Sequence, residues 1–184
     1  MCATINTIQT SAWYPTLTAV SIHNRSWLQD RGSLTRRIQG CCKDFCVKPA
    51  FQSFAKVHGD EPSILGLRRD ELAMVREVYL YCGNTPVVFA HSVVTRENLR
   101  GAWRGLSSLG NKSLGTMLFT NPKIKRTPLE FNKLRAGHFI FDRACHQLHN
   151  SPPNLWARRS LFTLKDQSIL VTEVFLPAIL DLTV

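Results

Sequence analysis

The chain has 184 residues, 44% hydrophobic and 20% charged, which is enough apolar material for one folded core and excludes a disordered or low-complexity chain. Lys and Arg number 23 against 13 Asp and Glu, and this +10 charge points to an anionic partner without saying whether it is nucleic acid, a membrane or a small acid. No stretch reaches the roughly 18 apolar residues of a membrane-crossing helix, so no membrane insertion is expected.

The first 22 residues are uncharged. Asn6, Thr7, Gln9, Thr10, Ser11, Pro15 and Thr16 interrupt them, and no basic segment precedes an apolar run, so they do not read as a leader. The expectation is a mature cytoplasmic chain forming a single domain over 1–184, with residues 1–25 as an irregular lead-in holding some helix. From Ser26 the text runs SWLQDRGSLTRRIQG. Ser26 can cap a short helix that Gly32 ends, and Ser33 can cap a second that stops at Gly40. Two short helices at a tight turn also open a DNA-binding helix-turn-helix.

Six cysteines (Cys2, Cys41, Cys42, Cys46, Cys82, Cys145) are too sparse for a disulfide-stapled secreted scaffold. CCKDFC at 41–46 lacks a CxxC pair, and Cys145, His146 and His149 are the other candidate ligand group. Reduced thiols, surface histidines and no structural metal are expected.

Residues 74–82, MVREVYLYC, are rich in β-branched and aromatic types; Gly83-Asn84-Thr85-Pro86 signals a turn and VVFAHSVV follows at 87–94, a hairpin. Glu97 to Leu106 places Leu99, Trp103 and Leu106 on one helical face and Arg96, Arg100 and Arg104 on the other. A helical turn follows at 113–119, with Ser113 as cap. Residues 122–165 carry nine basic and two acidic side chains. Within them 144–154 reads as a loop, because Pro152-Pro153 blocks helix and strand. Strands at about 158–164 and 169–177 flank a turn at Lys165-Asp166-Gln167. Hairpins with interposed helices, and no regular βαβ alternation, predict an α+β domain with a mainly antiparallel sheet.

Two charges break the strand pattern. Met74, Arg76, Val78 and Leu80 share one face of the first strand, and Ile169, Val171, Glu173 and Phe175 share one face of the last. Burying either charge alone costs several kcal/mol. Either Arg76 and Glu173 neutralise each other, or one of the faces is solvated, or the two end a mostly apolar cavity that suits a small flat anion bearing a hydroxyl. Arg36-Arg37 and Arg158-Arg159 read as solvated faces, His91 as a hydrogen-bonded structural histidine, and Trp27, Trp103 and Trp156 as core or rim aromatics. GxGxxG, P-loop, GxSxG and HExxH motifs are absent, which leaves nucleotide and common hydrolase chemistry without support.

Three segments, VREVYLYCGNTPVVFAHSVV, LGNKSLGTMLF and LWARRSLFTLKDQSILVTEVFLPA, resemble in order and spacing the chorismate pyruvate-lyase family of ubiquinone biosynthesis. SWLQDRGSLTRR resembles that family's first flap, and TEVFLPA is the most specific part of the match. The resemblance implies an α+β domain whose internal site lies under helix-turn-helix flaps. It also implies removal of pyruvate from chorismate to leave 4-hydroxybenzoate, without metal or cofactor. By motif position the family's catalytic Arg falls on Arg76 and its acid on Glu173, with Leu34 and Leu114 completing the substrate-binding set. Leu34 stands where some members carry a flap methionine, and His91 where an Arg is expected. The basic loop between Arg126 and Trp156 is longer than in the family pattern. The alternative is a small-acid-sensing regulatory domain or a nucleic-acid binder using the helix pair at 26–40. TRR offers few base-reading side chains and no dimerisation element is evident, so a monomer that does not bind nucleic acid is expected.

Overall fold

A computed structural model describes residues 12–182. Its centre is one antiparallel sheet of seven strands: β1 (Phe45–Ala55), β2 (Ala73–Cys82), β3 (Thr85–Val94), β4 (Lys125–Arg126), β5 (Glu130–Leu134), β6 (Leu155–Leu164) and β7 (Gln167–Phe175). The spatial order is β1-β2-β3-β7-β6-β4, with β5 also pairing β6. This is the α+β, mainly antiparallel architecture expected. The β2–β3 hairpin has nearly the predicted limits. β6 and β7 meet at Lys165 and Asp166, whose φ values of 51° and 61° make the reversal.

Among the described residues six short α-helices pack around the sheet: α1 (Ile22–Gln29), α2 (Leu34–Cys41), α3 (Glu61–Ile64), α4 (Arg96–Arg100), α5 (Leu114–Thr120) and α6 (Phe139–Cys145). α1 starts inside the expected lead-in because Ser21, not Ser26, caps it by accepting from the Asn24 amide. Ser26 is instead a partner of Arg37 Nη2 at 2.7 Å. The earlier part of the lead-in, residues 1–11, lies outside the described residues. Ser33 caps α2 as expected, and the helix continues past Gly40 to Cys41.

The helix expected over 97–106 is broken. α4 ends at Gly101, where a Cβ would fall 2.1 Å from the Gln167 side chain, and a 3₁₀ turn takes over at Arg104–Ser108. The Trp103 indole still reaches its buried place and donates to the Gln167 carbonyl. In the expected basic loop, β5 and α6 form, so the irregular stretch begins only after Cys145. β1 was not predicted. It is an edge strand with mostly half-buried or exposed positions, and Pro49 sits at a register shift.

The sheet is covered on both faces. One face packs under α1, α2 and α5, with Leu28, Ile38, Leu114 and Leu118 buried; the other packs under α6, with Ile140 and Phe141 buried. Both faces being covered overturns the solvated reading of Arg158-Arg159: they point to opposite faces of β6 and are 1% and 5% exposed. Arg37 is likewise not free, since its guanidinium lies 3.9 Å from the Trp27 ring and meets Asp30 at 3.2 Å. The expectation of reduced thiols is also corrected: Cys42, the C-cap of α2, is disulfide-bonded to Cys82 at the end of β2. Among the described residues no helix is long and apolar enough to cross a membrane.

Candidate active site

The sheet register builds the site. Rows run across β2, β3, β7 and β6 as Arg76–Ser92–Val171–Ser160 and Val78–Ala90–Glu173–Arg158. Arg76 and Glu173 therefore lie in adjacent rows, two strands apart, roughly 12 Å between Cα atoms by strand spacing and rise. Between them β3 contributes the small side chains Ala90 and Ser92, which leave space above the sheet. Leu34 and Thr35 of α2 and Ser113, Leu114, Gly115, Leu118 and Phe119 at α5 form the roof, with Val78, Leu80, Phe162 and Val171 completing the walls. The four residues singled out in the sequence, Leu34, Arg76, Leu114 and Glu173, all line this one cavity. Its free space is about 30 Å³, far below the roughly 300 Å³ or more of a formed ligand pocket, so the roof must shift before a substituted ring can enter.

Arg76 and Glu173 do not neutralise each other. Arg76 is 1% exposed, and its Nη2 donates to the carbonyls of Gly110 and Lys112, each at 3.0 Å. Its Nε is buried without a hydrogen-bond partner, and burial lowers the guanidinium from its ordinary value. A buried cation held from one side by carbonyls, with a donor left over, is prepared for an anion. Glu173 Oε2 instead accepts from Nε of Arg158, its register partner, at 2.6 Å.

The roof closes on a short contact. The hydroxyls of Thr35 and Ser113 are 2.5 Å apart and join the N-terminal ends of α2 and α5. Gly115 permits this approach, since a Cβ there would lie 3.0 Å from Thr35 Oγ1 and 3.3 Å from Ser113 Oγ. The same two hydroxyl residues line a separate open groove of about 560 Å³ with Gln39, Asn111 and Lys112. They are therefore the partition between groove and cavity.

Sequence reasoning missed two further arginines. Arg158 reads as half of a dibasic pair, although a carboxylate in an apolar row calls for a cation on the neighbouring strand. Arg126 spans roof and sheet: its Nε donates to Ser160 Oγ at 2.8 Å, its Nη1 donates to the Arg31 carbonyl, and its guanidinium lies over Phe162 and Phe119. Burial pushes it down to about 10, against the pull of Glu173.

His91 faces away from the cavity. It is 3% exposed; Nδ1 lies 3.0 Å from Glu77 Oε1, and Nε2 lies 3.2 Å from Glu61 Oε1. Burial alone would lower the imidazole, but the two carboxylates outweigh it and raise it to about 9. Glu77, which burial alone would raise, is held below its ordinary value by His91 and by Arg143 at 2.7 Å. This is the structural histidine expected.

Comparison with known proteins agrees with the geometry. Residues 7–184 match the family described as chorismate lyase. The chain belongs to that family. Its relatives include a probable chorismate pyruvate-lyase of Nitrosospira multiformis, 66% identical over 97% of this chain and 99% of that one. Another, from Nitrosomonas europaea, is 61% identical over 91% of this chain and 94% of that one. Among solved structures, the C-terminal domain of PhnF superposes with a TM-score of 0.56 over 80% of this chain and 91% of that one, at 15% identity, a likeness of fold alone. In this chorismate lyase family member the two charges that the sequence marked, Arg76 and Glu173, line one cavity, and the basic 126–156 segment holds β5 and α6. Among the described residues no group of three or more His, Cys, Asp or Glu could hold a metal ion.

Proposed function

We propose that the chain is a chorismate pyruvate-lyase, acting as a monomer in the cytoplasm without metal or cofactor and supplying 4-hydroxybenzoate for ubiquinone biosynthesis. The observation that carries this reading is the pairing, in one apolar cavity, of a buried arginine with an unused donor and a carboxylate held at the far side.

The chemistry follows from these residues. Arg76 takes the ring carboxylate through the side of its guanidinium that Gly110 and Lys112 leave free. Glu173 accepts from the ring hydroxyl through the oxygen that Arg158 does not hold. Leu34, Leu114 and Phe162 press on the ring faces and exclude water. In the reaction the ether C–O bond breaks and its electron pair leaves with the enolpyruvyl oxygen. The C4 hydrogen departs, the ring gains its third double bond, and the three-carbon fragment takes up a hydrogen to become pyruvate. Aromatisation makes the step strongly downhill, so the protein's task is to hold the reactive conformer in a dry cavity. The net charge of +10 favours encounter with a dianion.

The nucleic-acid reading fares worse: the N-terminal end of α2, which would have to read bases, is turned against α5 and its Leu34, Thr35 and Ile38 are buried. Incubating the purified chain with chorismate and assaying pyruvate and 4-hydroxybenzoate tests the proposal. Equal amounts of both support it; a salt-sensitive DNA shift without turnover overturns it.

A further inference from the structure

Arg158 is a buried cation whose partners come from two parts of the molecule that the site has to bring together. On the sheet side its Nε donates to Glu173 Oε2 at 2.6 Å, and the Phe175 ring lies 5.4 Å from its Cζ. On the α1 side its Nη1 donates to the carbonyls of Trp27, Leu28 and Asp30. These belong to the last turn and C-cap of α1, where carbonyls have no partner within the helix. The last turn of α1 has no basic residue of its own, so Arg158 supplies from the sheet the positive charge that this helix end favours.

A guanidinium is planar and rigid, so Nε and Nη1 cannot be aimed independently. While α1 sits down on the sheet, its carbonyls fix the plane, the plane fixes Oε2, and the other oxygen of Glu173 is left for the cavity. α1 is tied to the roof helix α2, since Arg37 donates to Ser26 and Asp30. A roof shift that admits a ring and carries α1 with it therefore takes the carbonyls from Nη1, and the hold on Glu173 loses its direction.

We propose that Arg158 is a positioning residue that ties the orientation of Glu173 to the seated position of α1. This rests on the reading that Glu173 meets the ring hydroxyl of the substrate. Arg158 makes and breaks no bond. It ensures that the carboxylate is aligned only when the cavity is closed, so binding and alignment occur together.

The test uses Arg158→Lys, Glu173→Gln and the double variant. Two measurements are made: kcat and KM for chorismate, and amide hydrogen exchange at residues 22–30. An ammonium keeps the charge but cannot span carboxylate and carbonyls together. Arg158→Lys is expected to lower kcat at least tenfold with KM changed less than about threefold. In the double variant the loss should be no more than about threefold beyond the worse single, because nothing remains to be positioned. Both single variants should speed exchange at 22–30. Wild-type kcat in Arg158→Lys, or losses that multiply in the double variant, would overturn the proposal. Should Arg158→Lys not fold, Glu173→Gln still decides: unchanged exchange of α1 in that variant overturns the link. A wild-type protein that leaves chorismate intact contradicts the function instead, and the exchange arm then judges the link by itself.

Discussion

Glu173 and Arg158 face each other in register across β7 and β6 and are joined at 2.6 Å, so the carboxylate of the cavity is neutralised by its neighbour and not by Arg76. Arg158 is 1% exposed and the Glu173 side chain 20%. Replacing Glu173 by Gln keeps an acceptor but removes the counter-charge of a buried cation. Denaturant unfolding of Glu173→Gln is expected to show a loss of about 1–3 kcal/mol, below the 3–5 of a fully buried pair because the three α1 carbonyls remain. Affinity for 4-hydroxybenzoate should fall as well, since an amide accepts more weakly than a carboxylate. A stability loss with unaltered product affinity would confine Glu173 to a structural role.

Arg76 has a different balance. Its two carbonyl bonds anchor the 110–112 loop, but its Nε is spare. Arg76→Ala should stay folded, with about 1–2 kcal/mol lost at that loop. It should also lower kcat/KM by about 30-fold to 1000-fold, the equivalent of about 2–4 kcal/mol. Arg76→Lys should recover only part, for want of a planar fork. Steady-state kinetics with thermal melts of the three proteins check this.

The buried His91 cluster gives stability a pH dependence. The folded imidazole titrates near 9 and the ordinary value is 6.5, so the protonated form is favoured by folding. Its contribution is therefore complete below about pH 6.5 and lost as pH rises through about 9, up to roughly 3 kcal/mol in all. Unfolding free energy of the wild type should fall across that window, and His91→Gln should be less stable but flat over it. A wild-type curve without that fall would place the imidazole outside the cluster's charge balance.

Much of the sheet could be read from the sequence because β2, β3, β6 and β7, buried on both faces, are rich in apolar, β-branched and aromatic residues, and the charges that interrupt their apolar rows, Arg76 and Glu173, line the cavity. What could not be read has local physical causes. β1 is an edge strand whose exposed positions carry no period. α4 stops at Gly101 because the side chain of Gln167, distant along the chain and near in the fold, approaches closely and accepts from the Ala102 amide. Arg158 was hidden because a dibasic step puts one charge on each face of a strand, and only tertiary packing shows that both faces are buried. The Cys42–Cys82 link depends on β1 bringing the end of α2 beside the end of β2.

That disulfide closes a separation of 40 residues and fastens the C-terminal end of α2 to the sheet. For a loop of this length, cross-linking contributes about 4 kcal/mol. Unfolding in the presence of a thiol reductant, or of Cys42→Ser, is expected to show a loss of about 2–4 kcal/mol. Equal midpoints with and without reductant would show that the link contributes nothing to stability.

The central claim is that this cavity converts chorismate using its own side chains. The most direct measurement is a time course with chorismate as the sole addition, on chelator-treated wild type and Arg76→Ala at equal concentration, quantifying 4-hydroxybenzoate and pyruvate. The account predicts equimolar products from the wild type, undiminished by the chelator, and a rate reduced by about 30-fold or more in Arg76→Ala. Equal rates from the two proteins, or a wild type that leaves chorismate unchanged until a metal is restored, would contradict it.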